Sequence, residues 1–257
     1  MNNLINTIQE IPKDKKVIVF DLDGTLAESK VNIDEEMGAL LGRLLVDHNV
    51  AIISGAGLEQ IVSQLPEDIS KNENLLLLPL DGGSFYVYKN NEWEEVYSRN
   101  LTDDEKKKIF EAFENVFKDI GYVQPSKTYG EIIEDRGGQI TFSALGQHAP
   151  LEQKEKWAEE NKNVCFEIAS KLRGYLPNME AEVAGLTSID VTQKGIDKKF
   201  GIEQIIKYLN VSGAGVIFLG DSLGFGGNDY PALEAGIACY QVKSVQDTKE
   251  VIEFLLG

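Results

Sequence analysis

The sequence predicts a doubly wound α/β fold with a parallel sheet, interrupted by an inserted α+β module, and three observations lead there. Short apolar runs at 17–20, 50–53, 75–80, 216–219 and 237–242 have the length and continuity of strands buried on both faces. Amphipathic stretches at 34–46, 58–65, 197–209 and 245–256 lie between or after them and supply crossover helices. Both patterns occupy the two ends of the chain, whereas the middle has a different texture.

In the middle, FYVYKN followed by EWEEVY reads as a hairpin turning at Asn90 and Asn91. Thr102 with Glu105 forms a capping-box pattern ahead of the helical run KKKIFEAFENVF. EIIEDRGGQITFSAL gives a second strand pair about Gly137 and Gly138, residues 151–172 read as one helix, and 182–191 return as one strand. The expected division is therefore a core of residues 1–82 and 188–257 carrying an insert of 83–187, with two chain crossings that would act as a hinge.

Composition narrows the function. The 257 residues hold 25 basic against 42 acidic side chains, a formal charge of −17, which opposes nucleic acid and anionic membrane as partners. No apolar run approaches the roughly 20 residues that span a bilayer, and the amino terminus lacks a leader pattern. Cys165 and Cys239 stand far apart without metal spacing, so two thiols in a reducing, cytoplasmic setting are expected. His48 and His148 have no companion ligands and read as terminal or exposed residues.

The chemistry concentrates where apolar runs end. VIVFDLDGTL delivers Asp21 and Asp23 into a glycine turn, and adjacent carboxylates are usually accepted where a divalent cation or phosphoryl group is held. Ser54 in IISGAG ends a second run, where its hydroxyl and the backbone N–H groups from Gly55 onward can hold an anionic oxygen, although a plain turn residue fits as well. Lys198 in GIDKKFG falls in the first turn of a helix, where the dipole disfavours a cation, so it is either surface solvated or required by an anion. Asp221 in LGDS ends a further run within a glycine-rich loop that also carries Asn228 and Asp229. In a parallel sheet these pieces converge beyond the carboxyl ends of the strands, with Asp21 and Asp221 as hard oxygen ligands for Mg2+ and Asn228 and Asp229 orienting its waters.

Together, VFDLDGT, ISG, the lysine in GIDK and GDSLGFGGND resemble the haloacid dehalogenase-like superfamily, in its type with a large α/β cap at the second insertion point. The resemblance implies a Rossmann-like core with a cap and a nucleophilic Asp21 that becomes an aspartyl-phosphate. It implies Asp23 as acid and base, with its main-chain carbonyl on Mg2+, and Ser54 and Lys198 neutralising the phosphoryl oxygens. EDRGGQITFSALGQHAPLEQKEKW, TSIDVTQKGIDKKFG and FGGNDY are further similar to eukaryotic-type phosphomannomutases and their prokaryotic relatives. By that likeness Arg136 meets the distal phosphate or sugar, Ser188 and Asp190 touch sugar hydroxyls, and two copies pair as a homodimer through the cap. A solvated hairpin charge remains the other reading of Arg136.

A mutase must seat a second phosphate on cations, and arginine is scarce: only Arg43, Arg99, Arg136 and Arg173 occur, with Gln147 where the mutase pattern carries an arginine. Lys127 offers a point charge without the planar fork. The expected activity is hydrolysis of a small phosphorylated metabolite such as a sugar phosphate, with phosphomannomutase as the alternative and a non-catalytic binding module disfavoured by the completeness of the acidic set.

Overall fold

The computed structural model describes residues 3–257, which divide into two compact units, one of residues up to Ser98 with Ile196–Gly257 and one of Arg99–Gly195. The first unit opens with β1 (Leu4–Ile5), β2 (Val17–Phe20), α1 (Glu35–Asp47), β3 (Asn49–Ser54), α2 (Leu58–Gln64), α3 (Glu67–Ser70), β4 (Leu75–Pro79), β5 (Ser84–Lys89) and β6 (Glu92–Ser98). The second contains α4 (Asp103–Ile120), β7 (Ile133–Asp135), β8 (Gln139–Ser143), α5 (Leu151–Glu160), α6 (Val164–Tyr175), β9 (Met179–Ala184) and β10 (Ser188–Gln193). The first unit then resumes with α7 (Lys198–Leu209), β11 (Val216–Gly220), α8 (Tyr230–Glu234), β12 (Ala238–Gln241) and α9 (Val245–Leu256).

The first unit is built on an eight-stranded sheet of order β1-β12-β11-β2-β3-β4-β5-β6, parallel from β1 through β4 and antiparallel beyond. Alternation along each strand feeds two cores. Ile18, Phe20, Val50, Ile52, Leu75 and Leu77 pack with Met37, Leu41 and Leu44 of α1 and Val251 and Ile252 of α9. Val17, Val19, Ala51, Ile53, Leu76 and Leu78 pack on the other face with Ile202 and Ile205 of α7. The chain winds outward from β2 through β3 and β4, then returns through α7 to β11 on the other side of β2. The strand order therefore reverses between β2 and β11, where open α/β sheets form a crevice at the carboxyl ends.

The second unit is a four-stranded antiparallel sheet of order β7-β8-β10-β9. Ile140, Phe142, Ile189 and Val191 pack on Phe113 and Val116 of α4 and Ile168 and Leu172 of α6. Gln139, Thr141, Ser143, Ser188, Asp190 and Thr192 alternate with these residues and so share the polar face.

Three expectations are corrected. The 84–98 hairpin, turning at Asn90 (φ 52°) and Asn91 (φ 66°), is the end of the large sheet rather than part of the insert, because Leu76 pairs with Val87 and Phe85 and Val87 complete an existing core layer. The two compact units divide at 98/99 and 195/196. The expected strand at 182–191 is two strands, β9 and β10, folded about Gly185 (φ 74°), with Ser188↔Ala184 and Asp190↔Glu182 in register. The expected single helix over 151–172 breaks at Asn161–Asn163, where Asn163 takes a left-handed conformation (φ 72°). Among the described residues no helix is long and apolar enough to cross a membrane.

The α4 capping box forms as the sequence suggests: Thr102 Oγ1 accepts from the Glu105 N–H (3.3 Å) and the Glu105 carboxylate accepts from the Thr102 N–H (2.8 Å). Thr102→Ala should lower the unfolding free energy in urea titration by about 1 kcal/mol. An unchanged midpoint would show that the cap contributes nothing.

Candidate active site

Strand register brings the distant acidic residues together. Phe20, the last residue of β2, lies opposite Leu219 of β11 and Ile52 of β3, so Asp21, Asp221 and Ser54 all emerge at the carboxyl edge around the switch point. The Asp21 N–H continues the ladder by donating to the Leu219 carbonyl (3.0 Å). Asp21 is buried, Asp221 half-buried and Asp229 fully buried, and one carboxylate oxygen from each lies within 4.8 Å of the others.

Lys198 holds this cluster. Asp197 caps α7 by accepting from the Phe200 N–H, so Lys198 is the first helical residue, and its side chain is fully enclosed. Its ammonium donates to Asp21 Oδ1 and Asp229 Oδ1, at 2.5 Å each. The surface reading of Lys198 is thereby excluded. Asp229 Oδ2 also accepts from the Ser222 N–H (2.9 Å), and the Ser222 hydroxyl donates to Asp221 (3.3 Å).

Two glycines make room for the carboxylates. Gly24 adopts φ 84°, and a Cβ there would stand 2.8 Å from Asp221 Oδ2; a Cβ on Gly220 would collide with Asp229 Oδ2. The Asp-Gly and Gly-Asp pairs in the sequence thus reflect close packing as well as turn chemistry.

The remaining expected residues are distributed as follows. Asp23 is half-buried, and its Oδ1 accepts from the Lys30 N–H (2.8 Å), outside the three-carboxylate cluster. Ser54 is buried at the end of β3 with its Oγ accepting from the Ala56 N–H (3.2 Å), and Gly55 beside it is half-buried. Asn228 is exposed, unlike the buried Asp229 beside it, and carries no carboxylate into the cluster. Arg136, Ser188 and Asp190 belong to the second unit. There Arg136 pairs with Glu134 (2.8 Å) and donates to Gln147 Oε1 (3.0 Å), Ser188 bonds Ser143 (2.8 Å), and Asp190 accepts from Thr141 (2.7 Å). Sequence reasoning missed Asp81, whose carboxylate acts electrostatically on Lys198; the signal was an apolar run ending in Asp-Gly, as at Asp23.

Burial pushes the Asp21 carboxyl up from its ordinary 3.8 to about 8; Lys198 opposes the rise, and Asp229 and Asp221 add to it. Burial and Asp229 also raise Asp221. Such a set of hard, charge-crowded oxygens suits a divalent cation, whose binding would displace protons. In metal-free protein, folded Asp21 keeps a proton that the unfolded chain has lost above its ordinary value, so this group's contribution falls as pH rises from about 4 to about 8. Urea titrations across that range with EDTA should show declining stability, and Asp21→Asn should flatten the decline. An identical slope in both proteins would contradict the assignment.

The family described as haloacid dehalogenase-like hydrolase matches residues 18–242. The chain is similar to a phosphomannomutase of Encephalitozoon cuniculi, 28% identical over 84% of each chain. It is also similar to one of Oryza sativa, 26% identical over 90% of this chain and 92% of that protein. Among solved structures, an N-terminally truncated, IMP-bound IMP-nucleotidase of Plasmodium falciparum matches with a TM-score of 0.69 over 96% of this chain and 70% of that one, at 16% identity. A Streptococcus mutans protein matches with a TM-score of 0.59 over 93% of this chain and 98% of that one, at 18% identity. At these identities the structural likeness speaks for the fold alone.

Proposed function

The chain belongs to the haloacid dehalogenase-like hydrolases, and from that premise we propose that it is a Mg2+-dependent phosphatase acting on a small phosphorylated sugar or related metabolite. The observation that carries this reading is the enclosed Lys198, bonded to Asp21 and Asp229 beside Asp221 at the switch point. A purely structural lysine would need no third carboxylate, and a binding module would need no nucleophile facing a strand-end crevice.

Asp21 Oδ attacks phosphorus as the ester P–O bond breaks, and Asp23 protonates the departing oxygen. Asp23 then takes a proton from water as that water attacks the aspartyl-phosphate, freeing phosphate and restoring the Asp21 carboxylate. Lys198, the Ser54 hydroxyl and the Gly55 N–H hold the phosphoryl oxygens throughout. Asp21, Asp221 and the Asp23 carbonyl would hold Mg2+, with Asp229 and Asn228 around it; the ion supplies charge neutralisation on the transferring group.

Substrate selection is assigned to the second unit, with Arg136, Ser188 and Asp190 addressing the leaving group. Arg136 is already engaged by Glu134 and Gln147, and the sheet face that carries Ser188 and Asp190 is rich in hydroxyls and carboxylates. This supports a neutral, hydroxyl-bearing leaving group over a second phosphate, and so hydrolysis over bisphosphate-dependent isomerisation. The phosphomannomutase reading keeps one observation in its favour, the likeness to phosphomannomutases over most of the chain.

With Mg2+ and mannose 1-phosphate, free phosphate should appear at a rate independent of added hexose 1,6-bisphosphate, and Asp21→Asn should lower it by about a thousandfold or more. Mannose 6-phosphate forming faster than phosphate, and only with the bisphosphate, would replace the phosphatase with the mutase.

A further inference from the structure

From Pro79, the last residue of β4, the chain runs on through Leu80-Asp81-Gly82-Gly83, and two successive non-glycine residues, Leu80 (φ 56°) and Asp81 (φ 52°, ψ 32°), adopt left-handed backbone. Such residues persist only where their surroundings over-determine them, and they concentrate at functional sites. Here the turn is clamped at three points. The Leu80 N–H donates to the Ala56 carbonyl (3.1 Å), two residues past Ser54, and the Tyr97 hydroxyl donates to the Gly82 carbonyl (2.7 Å). Gly82 (φ 95°) lies directly on the first turn of α7: a Cβ there would stand 2.8 Å from Gly201 Cα and 3.2 Å from the Asp197 carbonyl. That helical turn begins with Lys198.

Burial opposes the charge on Lys198, but the carboxylates of Asp21, Asp229 and Asp81 outweigh it and hold the ammonium well above its ordinary range. Asp21 and Asp229 bond the ammonium directly, and Asp81 acts from the clamped turn.

We propose that Asp81 is a positioning residue for Lys198, carried on a left-handed turn whose Gly82 packs against the helical turn that begins with Lys198. The inference rests on the phosphatase reading for its catalytic consequence. When Asp21 becomes an acyl phosphate it gives up its carboxylate charge, which leaves on the departing ester oxygen and is neutralised there by the Asp23 proton, whereas Asp81 takes no part in bond making. It therefore anchors the ammonium against an anion that does not change during turnover.

Asp81→Asn is the informative substitution, because asparagine tolerates left-handed backbone and preserves shape while removing the charge. With p-nitrophenyl phosphate and Mg2+, kcat should fall about tenfold while KM stays within about twofold. Asp81→Gly, which also fits the turn, should show the same loss. A urea double-mutant cycle with Lys198→Met supplies an arm that needs no turnover. Asp81→Asn should weaken the folding equilibrium about tenfold more in the otherwise wild-type protein than in the Lys198→Met protein. Wild-type kcat in Asp81→Asn, or additivity in the cycle, overturns the proposal. If the wild-type protein releases no phosphate, the phosphatase reading fails and the cycle alone decides the role of Asp81.

Discussion

An ammonium enclosed among carboxylates is the constraint around which the rest of this structure is arranged. Lys198 is wholly removed from water and bonded to two aspartates that are themselves buried. An ion pair of this kind adds little net stability, because desolvation takes back most of the Coulombic gain, whereas leaving either partner alone in the interior is costly. One lysine also cannot balance Asp21, Asp221 and Asp229 together. The surplus negative charge adds to burial in raising the carboxyls of Asp21 and Asp221, and it makes the cluster receptive to a cation.

The fold delivers this cluster through strand order. Because the strand order reverses between the parallel neighbours β2 and β11, Asp21 and Asp221 emerge side by side although they are distant in sequence. Gly24 and Gly220 then allow two carboxylates to occupy the space that side chains would have filled. A cation in the first turn of α7 is unfavourable to the helix dipole. The carboxylates around it reverse that preference, so the placement of Lys198 makes sense only in the assembled site.

Local patterns made much of this legible. The buried strands appear as apolar runs, the helices as amphipathic stretches, and the chemistry as polar residues where those runs stop. Non-local facts were harder to read. Whether the 84–98 hairpin extends the large sheet depends on Leu76 pairing with Val87, which no window of sequence displays. Asp81 carries the same strand-end Asp-Gly signal as Asp23, but its proximity to Lys198 follows from Gly82 meeting Gly201 across the fold. The break at Asn163 needs a single left-handed residue that helical periodicity does not announce. For Arg136 the sequence offered a charge, and only the structure supplies Glu134 and Gln147 as its partners.

The proposed function makes Asp21 the nucleophile toward phosphorus. The direct measurement is to quench protein during turnover with Mg2+ and mannose 1-phosphate, reduce it with borohydride and map the peptides by mass spectrometry. Reduction of an aspartyl-phosphate should leave homoserine at position 21 and nowhere else. Homoserine at another aspartate, or a phosphoryl group carried on a different residue type, would contradict the assignment.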